Sequence, residues 1–122
     1  MRLPTRIHGV LDYLIGALLV GAPWLFGFAA GGAETWVPVG AGVLVVLYSL
    51  FTDYELGVVR RIEMPVHLFM DALLGVLLAV SPWVLGFDTV AYLPHLVMGL
   101  VSVATAAVTD TIPGYERRRT AR

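Results

Sequence analysis

Apolar residues gather in four long stretches, separated by short segments that hold most of the charge. Stretches 13–33, 35–52 and 89–109 contain no Asp, Glu, Lys or Arg, and stretch 64–87 contains only Asp71. Each is near the roughly 20 residues that a helix needs to cross about 30 Å of hydrocarbon. The punctuation agrees. Thr35 can cap the second helix, Pro65 and Pro94 suit first-turn positions, and Gly57 and Pro113-Gly114 follow helix ends. The pattern predicts helices over about 5–28, 36–55, 65–87 and 92–111. Arg2 and Arg6 ahead of an apolar run also suit a secretory signal, but Asp12 interrupts that run and a second copy of the segment lies deep in the chain.

The charges then orient these helices. All eight basic residues are arginines: Arg2 and Arg6, Arg60 and Arg61, and Arg117, Arg118, Arg119 and Arg122. They precede the first helix, lie between the second and third, or follow the fourth. By the positive-inside rule both termini and the middle loop are expected in the cytoplasm, with the chain a multi-pass protein of the plasma membrane. Trp24, Trp36, Trp83 and Tyr92 fall at the opposite end, where an interfacial aromatic belt belongs.

The chain also repeats itself. A shift of 59 places residues 7–28 on 66–87, and ten of the 22 positions are identical by direct count. His8 meets His67, Asp12 meets Asp71, Gly16 meets Gly75, Pro23-Trp24 meets Pro82-Trp83, and Gly27-Phe28 meets Gly86-Phe87. A shift of 57 then carries Gly42 onto Gly99 and Thr52-Asp53 onto Thr109-Asp110. The expected fold is an all-α bundle of four transmembrane helices, built from two tandem hairpins over about 5–57 and 64–114. It forms one integral membrane domain across 1–122, with 115–122 as a basic tail. Each unit crosses twice, so both insert the same way and a pseudo-twofold axis should lie along the membrane normal.

Ser81-Pro82-Trp83, and Ala22-Pro23-Trp24 in the first unit, place a repeated motif in the first helix of each hairpin. With them the chain resembles the SPW repeat family of small prokaryotic integral membrane proteins. The resemblance implies a membrane location and a hairpin repeat, and brings no catalytic residues.

Composition narrows the chemistry. Of 122 residues 58% are hydrophobic and 14% charged, against about 45–50% and 25% in soluble domains. Four crossings consume most of that length, so any site lies within the bundle or at its ends. A formal net charge of -1 lacks the basic footprint of a nucleic-acid binder, and the absence of cysteine removes thiolate and iron–sulfur chemistry. The expected partners are the bilayer and a second copy or another membrane protein. No nucleophile with a base and no phosphate-binding loop appears.

At 100° per residue His8, Asp12, Gly16 and Pro23 share a face, as do their counterparts in the third helix. Gly42 and Asp53, then Gly99 and Asp110, continue matching stripes on the second and fourth. Small residues on such faces let helices approach closely in lipid, which predicts that the first and third helices meet near Gly16 and Gly75. A rise of 1.5 Å per residue puts His8 about 24 Å from Trp24, and Asp53 about 26 Å from Trp36. His8, Asp12, Asp53, His67, Asp71 and Asp110 are therefore expected in one polar cluster at the cytoplasmic end.

Three readings of that cluster stay open. It can fix helix register as a structural element, handle protons or ions beside titrating histidines, or ligate zinc, iron or manganese through His and Asp at i, i+4. No cofactor is required by the first. Pro23 and Pro82 are read as helix kinks and Trp24 and Trp83 as interfacial anchors. His95 is expected as an interfacial residue without a partner, and Glu34, Glu55, Glu63, Asp88 and Glu116 as solvated loop charges.

Overall fold

A computed structural model describes residues 2–121; Met1, and Arg122 at the end of the basic tail, lie outside them. The architecture is all-helical: α1 Thr5–Leu25, α2 Ala33–Leu50, α3 Met64–Val84, α4 Leu93–Val108 and a short α5 Gly114–Thr120. The first three are long and apolar enough to span a membrane, and α4 is an apolar helix of 16 residues. At 1.5 Å per residue α4 covers about 24 Å, shorter than the first three. The segment expected as a basic tail is helical over most of its length.

Close contact is concentrated within two hairpins, α1 with α2 and α3 with α4, while α2 touches α3 and α1 touches α4 more sparsely. Glycine explains the intimacy inside each hairpin. A Cβ on Gly42 would sit 2.5 Å from the Gly16 carbonyl oxygen, and one on Gly75 would sit 2.7 Å from that of Gly99. The small-residue stripes thus pair Gly16 with Gly42 and Gly75 with Gly99. They do not join α1 to α3, because the short connections hold each stripe against its own hairpin partner.

Between the hairpins, Leu19, Ala41 and Leu78 form an apolar core toward the tryptophan end. Tyr54, Met64, Leu68 and Ala106 form another toward the end that carries the chain termini. Leu14, Leu44, Phe69, Leu73 and Leu77 point outward and stay exposed, the distribution of a bundle whose surroundings are as apolar as its interior.

The repeated Pro-Trp-x-x-Gly-Phe segment is a helix terminator. Gly27 and Gly86 adopt φ +72° and +74°, the left-handed region that costs other residues about 1–2 kcal/mol. The N–H of Phe28 then donates to the Pro23 carbonyl at 2.9 Å, and that of Phe87 to the Pro82 carbonyl at 2.8 Å. These are the long bonds of a Schellman cap. The turn swings Phe28 and Phe87 inward to buried positions. Trp24 and Trp83 remain half-exposed, against Trp36 and Tyr92 respectively.

At the opposite end two isolated parallel bridges tie the helix ends down. Leu3 pairs with Thr109 after α4, and Ile62 pairs with Thr52 after α2. Leu3 and Ile62 are repeat equivalents, and so are Thr109 and Thr52, so both copies end in the same way.

Candidate functional site

Four of the six predicted polar residues converge. His8 and Asp12 come from the first two turns of α1, His67 and Asp71 from those of α3, and all four are buried. The i, i+4 spacing puts each imidazole and carboxylate on one helix face. The shortest bond crosses between the repeats: His8 Nε2 lies 2.7 Å from Asp71 Oδ2. His67 Nε2 reciprocates at 3.0 Å from Asp12 Oδ2. Within the helices the separations are 3.2 Å for His8 to Asp12 and 3.1 Å for His67 to Asp71. The two rings meet edge to face with centroids 5.4 Å apart.

Two threonines orient these rings. Thr52 Oγ1 donates to the Tyr48 carbonyl four residues earlier at 2.7 Å, and Thr109 Oγ1 donates likewise to Thr105 at 2.5 Å. With the hydroxyl proton so used, each oxygen accepts from an imidazole Nδ1–H, Thr52 from His67 at 2.7 Å and Thr109 from His8 at 2.8 Å. The network therefore assigns a proton to both Nδ1 atoms and turns both Nε2 atoms onto the carboxylates. Although both carboxylates are close to His67 Nε2, neither lies where it completes a hydrogen bond, and that nitrogen is buried without a partner.

Two tyrosines close the remaining sides. Tyr48, on α2, donates to Asp71 Oδ1, and Tyr54, in the turn after α2, donates to Asp12 Oδ2 at 2.8 Å. Burial and the Asp12 charge push the Tyr54 phenol well above its usual range, so it remains a donor. Ser102 Oγ donates to the Asp71 carbonyl and anchors α4 to the same turn. A cavity of about 20 Å³ beside Asp12 and Asp71, room for about one water, is walled by Leu11, Ile15, Leu74 and Leu78.

Asp53 and Asp110 stand apart from this cluster. Their helices end at Leu50 and Val108, so the helical phase that would aim them inward does not reach them. Asp53 accepts from the Tyr115 phenol, and Asp110 faces Arg2 at 3.6 Å and Arg117 at 3.1 Å. The hydrogen bond to Asp53, followed by burial, pushes the Tyr115 phenol up to about 12. The Arg60 guanidinium lies 4.7 Å from the Tyr115 ring centre, so the α2–α3 connection and α5 clasp one another. Glu55 also works structurally, accepting from Thr5 at 2.8 and 3.0 Å. The residues that take the two positions beside the histidines are Thr52 and Thr109, the other halves of the duplicated Thr-Asp pairs.

The tryptophan end carries a second buried group. His95, expected at the interface, is enclosed between Phe28 and Phe87, with ring centroids 5.1 and 4.9 Å away. Its Nε2–H donates to the Glu34 carbonyl at 2.9 Å. Glu34 is likewise buried, its Oε1 accepting from the N–H groups of Ala30 and Gly32 and from the Thr35 hydroxyl. Thr35 lies inside the first turn of α2, and Gly32 occupies the cap position instead. Glu34 folds back over the α1–α2 turn to satisfy donors that the glycine-rich loop leaves free.

Comparison with known proteins adds the family. Neither a curated protein nor a solved structure matches the chain. The family model of the SPW repeat domain matches residues 6–109, which include both hairpins and all four clustered residues, and the chain belongs to the SPW repeat family.

Proposed function

We propose that this membrane protein is a structural module in which a His–Asp joint holds two hairpins in a fixed arrangement. The observation that carries this reading is the reciprocal crossing, with His8 hydrogen-bonded to Asp71 and His67 set beside Asp12 at 3.0 Å. Contact between the hairpins is sparse compared with contact within them. In lipid, moreover, apolar surface gives little preference for one helix partner over another. A polar contact that only the correct partner satisfies therefore specifies the assembly.

Reciprocal histidine, threonine and bridge pairings support a pseudo-twofold axis along the membrane normal. The arginine distribution supports cytoplasmic termini in the plasma membrane. The outward apolar faces of the bundle meet lipid, with a second copy or another membrane protein as the partner class. Ion conduction is a poorer reading, because Leu19, Ala41 and Leu78 close the interior between the cluster and the tryptophan end.

Unfolding of purified, metal-free protein tests the joint. Asp12→Asn and Asp71→Asn each leave a buried imidazole without its counter-charge, and each is expected to cost about 3–5 kcal/mol. Unchanged stability in both variants would remove the joint as the element holding the hairpins together.

A further inference from the structure

We infer that the His–Asp joint is also a binding site for one divalent first-row transition-metal ion, ligated by His8 Nε2, His67 Nε2 and one carboxylate oxygen each of Asp12 and Asp71. The inference rests on the joint reading, since the same crossing that ties the repeats together brings their donors to one point.

Three observations carry it. The four donor atoms lie within 4.8 Å of one another, in a buried group drawn equally from two helices. Their cross-repeat and intrahelical N···O separations run from 2.7 to 3.2 Å. Bonds of about 2.0–2.1 Å to a tetrahedral ion would place such donors about 3.3 Å apart, so binding requires adjustments of tenths of an ångström. Second, His67 Nε2 is a fully buried nitrogen with no hydrogen-bond partner, turned into the set. Third, both Nδ1–H groups are committed to threonine hydroxyls. That is the outer support a metal-bound imidazole takes, fixing the tautomer that leaves the Nε2 lone pair for the ion.

Charge and donor chemistry define the ligand class. Two carboxylates balance either two Nε2-bound protons or one dipositive ion, so exchange leaves the buried group neutral. A set of two imidazole nitrogens and two carboxylate oxygens suits zinc, iron(II), manganese(II) or cobalt(II). It suits calcium and magnesium poorly, because they favour all-oxygen shells, and copper(I) poorly without thiolate. Tyr48 and Tyr54 hold the carboxylate oxygens from the outside, and Thr52 and Thr109 hold the rings.

Protein purified in detergent without nickel affinity or chelator, then analysed for metals and, after chelation, titrated with Co²⁺, tests the site. About one transition-metal ion per chain, and visible absorption of four-coordinate cobalt saturating near one equivalent, are the expected results. His67→Gln should abolish the cobalt bands, and His95→Gln, which removes the histidine at the far end, should leave them unchanged. Thr52→Val should weaken Co²⁺ binding about 10–100-fold by freeing the ring. If His67→Gln does not fold, the wild-type and Thr52→Val titrations still decide. Helical wild-type protein that retains no metal and gives no cobalt bands would overturn the metal site. That result would leave the metal-free unfolding test of the joint standing, so the two claims fail separately.

Discussion

A carboxylate inside a membrane span needs a partner, and Asp12 and Asp71 each have an imidazole from both repeats and a tyrosine hydroxyl. The tyrosines give that network a measurable edge. Tyr54→Phe removes a hydrogen bond to a buried carboxylate and should destabilise the protein by about 1.5–3 kcal/mol in chemical denaturation, the range for bonds to charged groups. A change near zero would place Tyr54 outside the network. At the clasp, Tyr115 keeps its proton in the folded chain up to about pH 12, whereas an unperturbed tyrosine loses it near pH 10. The folded value is the higher, so the contribution of this contact is complete below about pH 10 and is lost as pH rises through about 12. Tyrosine-labelled NMR titration should show the Tyr115 value fall toward the ordinary one in Asp53→Asn; no movement would contradict the assigned hydrogen bond. The four clustered residues were legible because duplication marked them and i, i+4 spacing gave them one face. Thr52 and Thr109 were marked by the same duplication, but extending helical phase past the true helix ends directed attention to the neighbouring aspartates. His95 and Glu34 had no repeat counterpart, and their burial depends on aromatic and loop contacts that periodicity does not encode.

The helices themselves were plain in the apolar pattern, while their ends were not. Hydrophobicity continues past Leu25 and Val84, yet the backbone turns there because Gly27 and Gly86 supply a left-handed residue. The repeated Pro-Trp motif thus belongs to a longer unit whose last residues stop the helix and bury a phenylalanine. Gly86→Ala should cost about 1–2 kcal/mol from backbone conformation alone, since nothing lies within 4 Å of the added Cβ. Gly40→Ala, on the open side of α2 with equally free space and helical backbone, is the control and should instead stabilise the protein by about 0.5–1 kcal/mol. Thermal unfolding in detergent compares the two. Equal effects would mean that the cap does not set the end of α3.

At the scale of the whole molecule, the repeat predicted two alike hairpins, and the contacts divide along that line. What periodicity could not supply was the pairing of stripes, since equivalent glycines on α1 and α3 are interchangeable on paper. Short connections decide that each glycine meets its own hairpin partner, leaving the polar joint and two small apolar clusters between the hairpins. Orientation is tested by single cysteines, which a chain without native cysteine accommodates cleanly. Cysteines at the exposed positions Ala30 and Thr89 should react with an impermeant reagent from outside intact cells, and those at the exposed positions Val58 and Thr120 should not; the reverse pattern would invert the topology. The central claim, that a bond between residues 63 positions apart holds the two repeats together, is tested most directly by a double-mutant cycle. Unfolding free energies of metal-free wild type, His8→Gln, Asp71→Asn and the double variant should give a coupling of about 1–3 kcal/mol. A coupling within about 0.3–0.5 kcal/mol of zero, the additive result of distant sites, would contradict it.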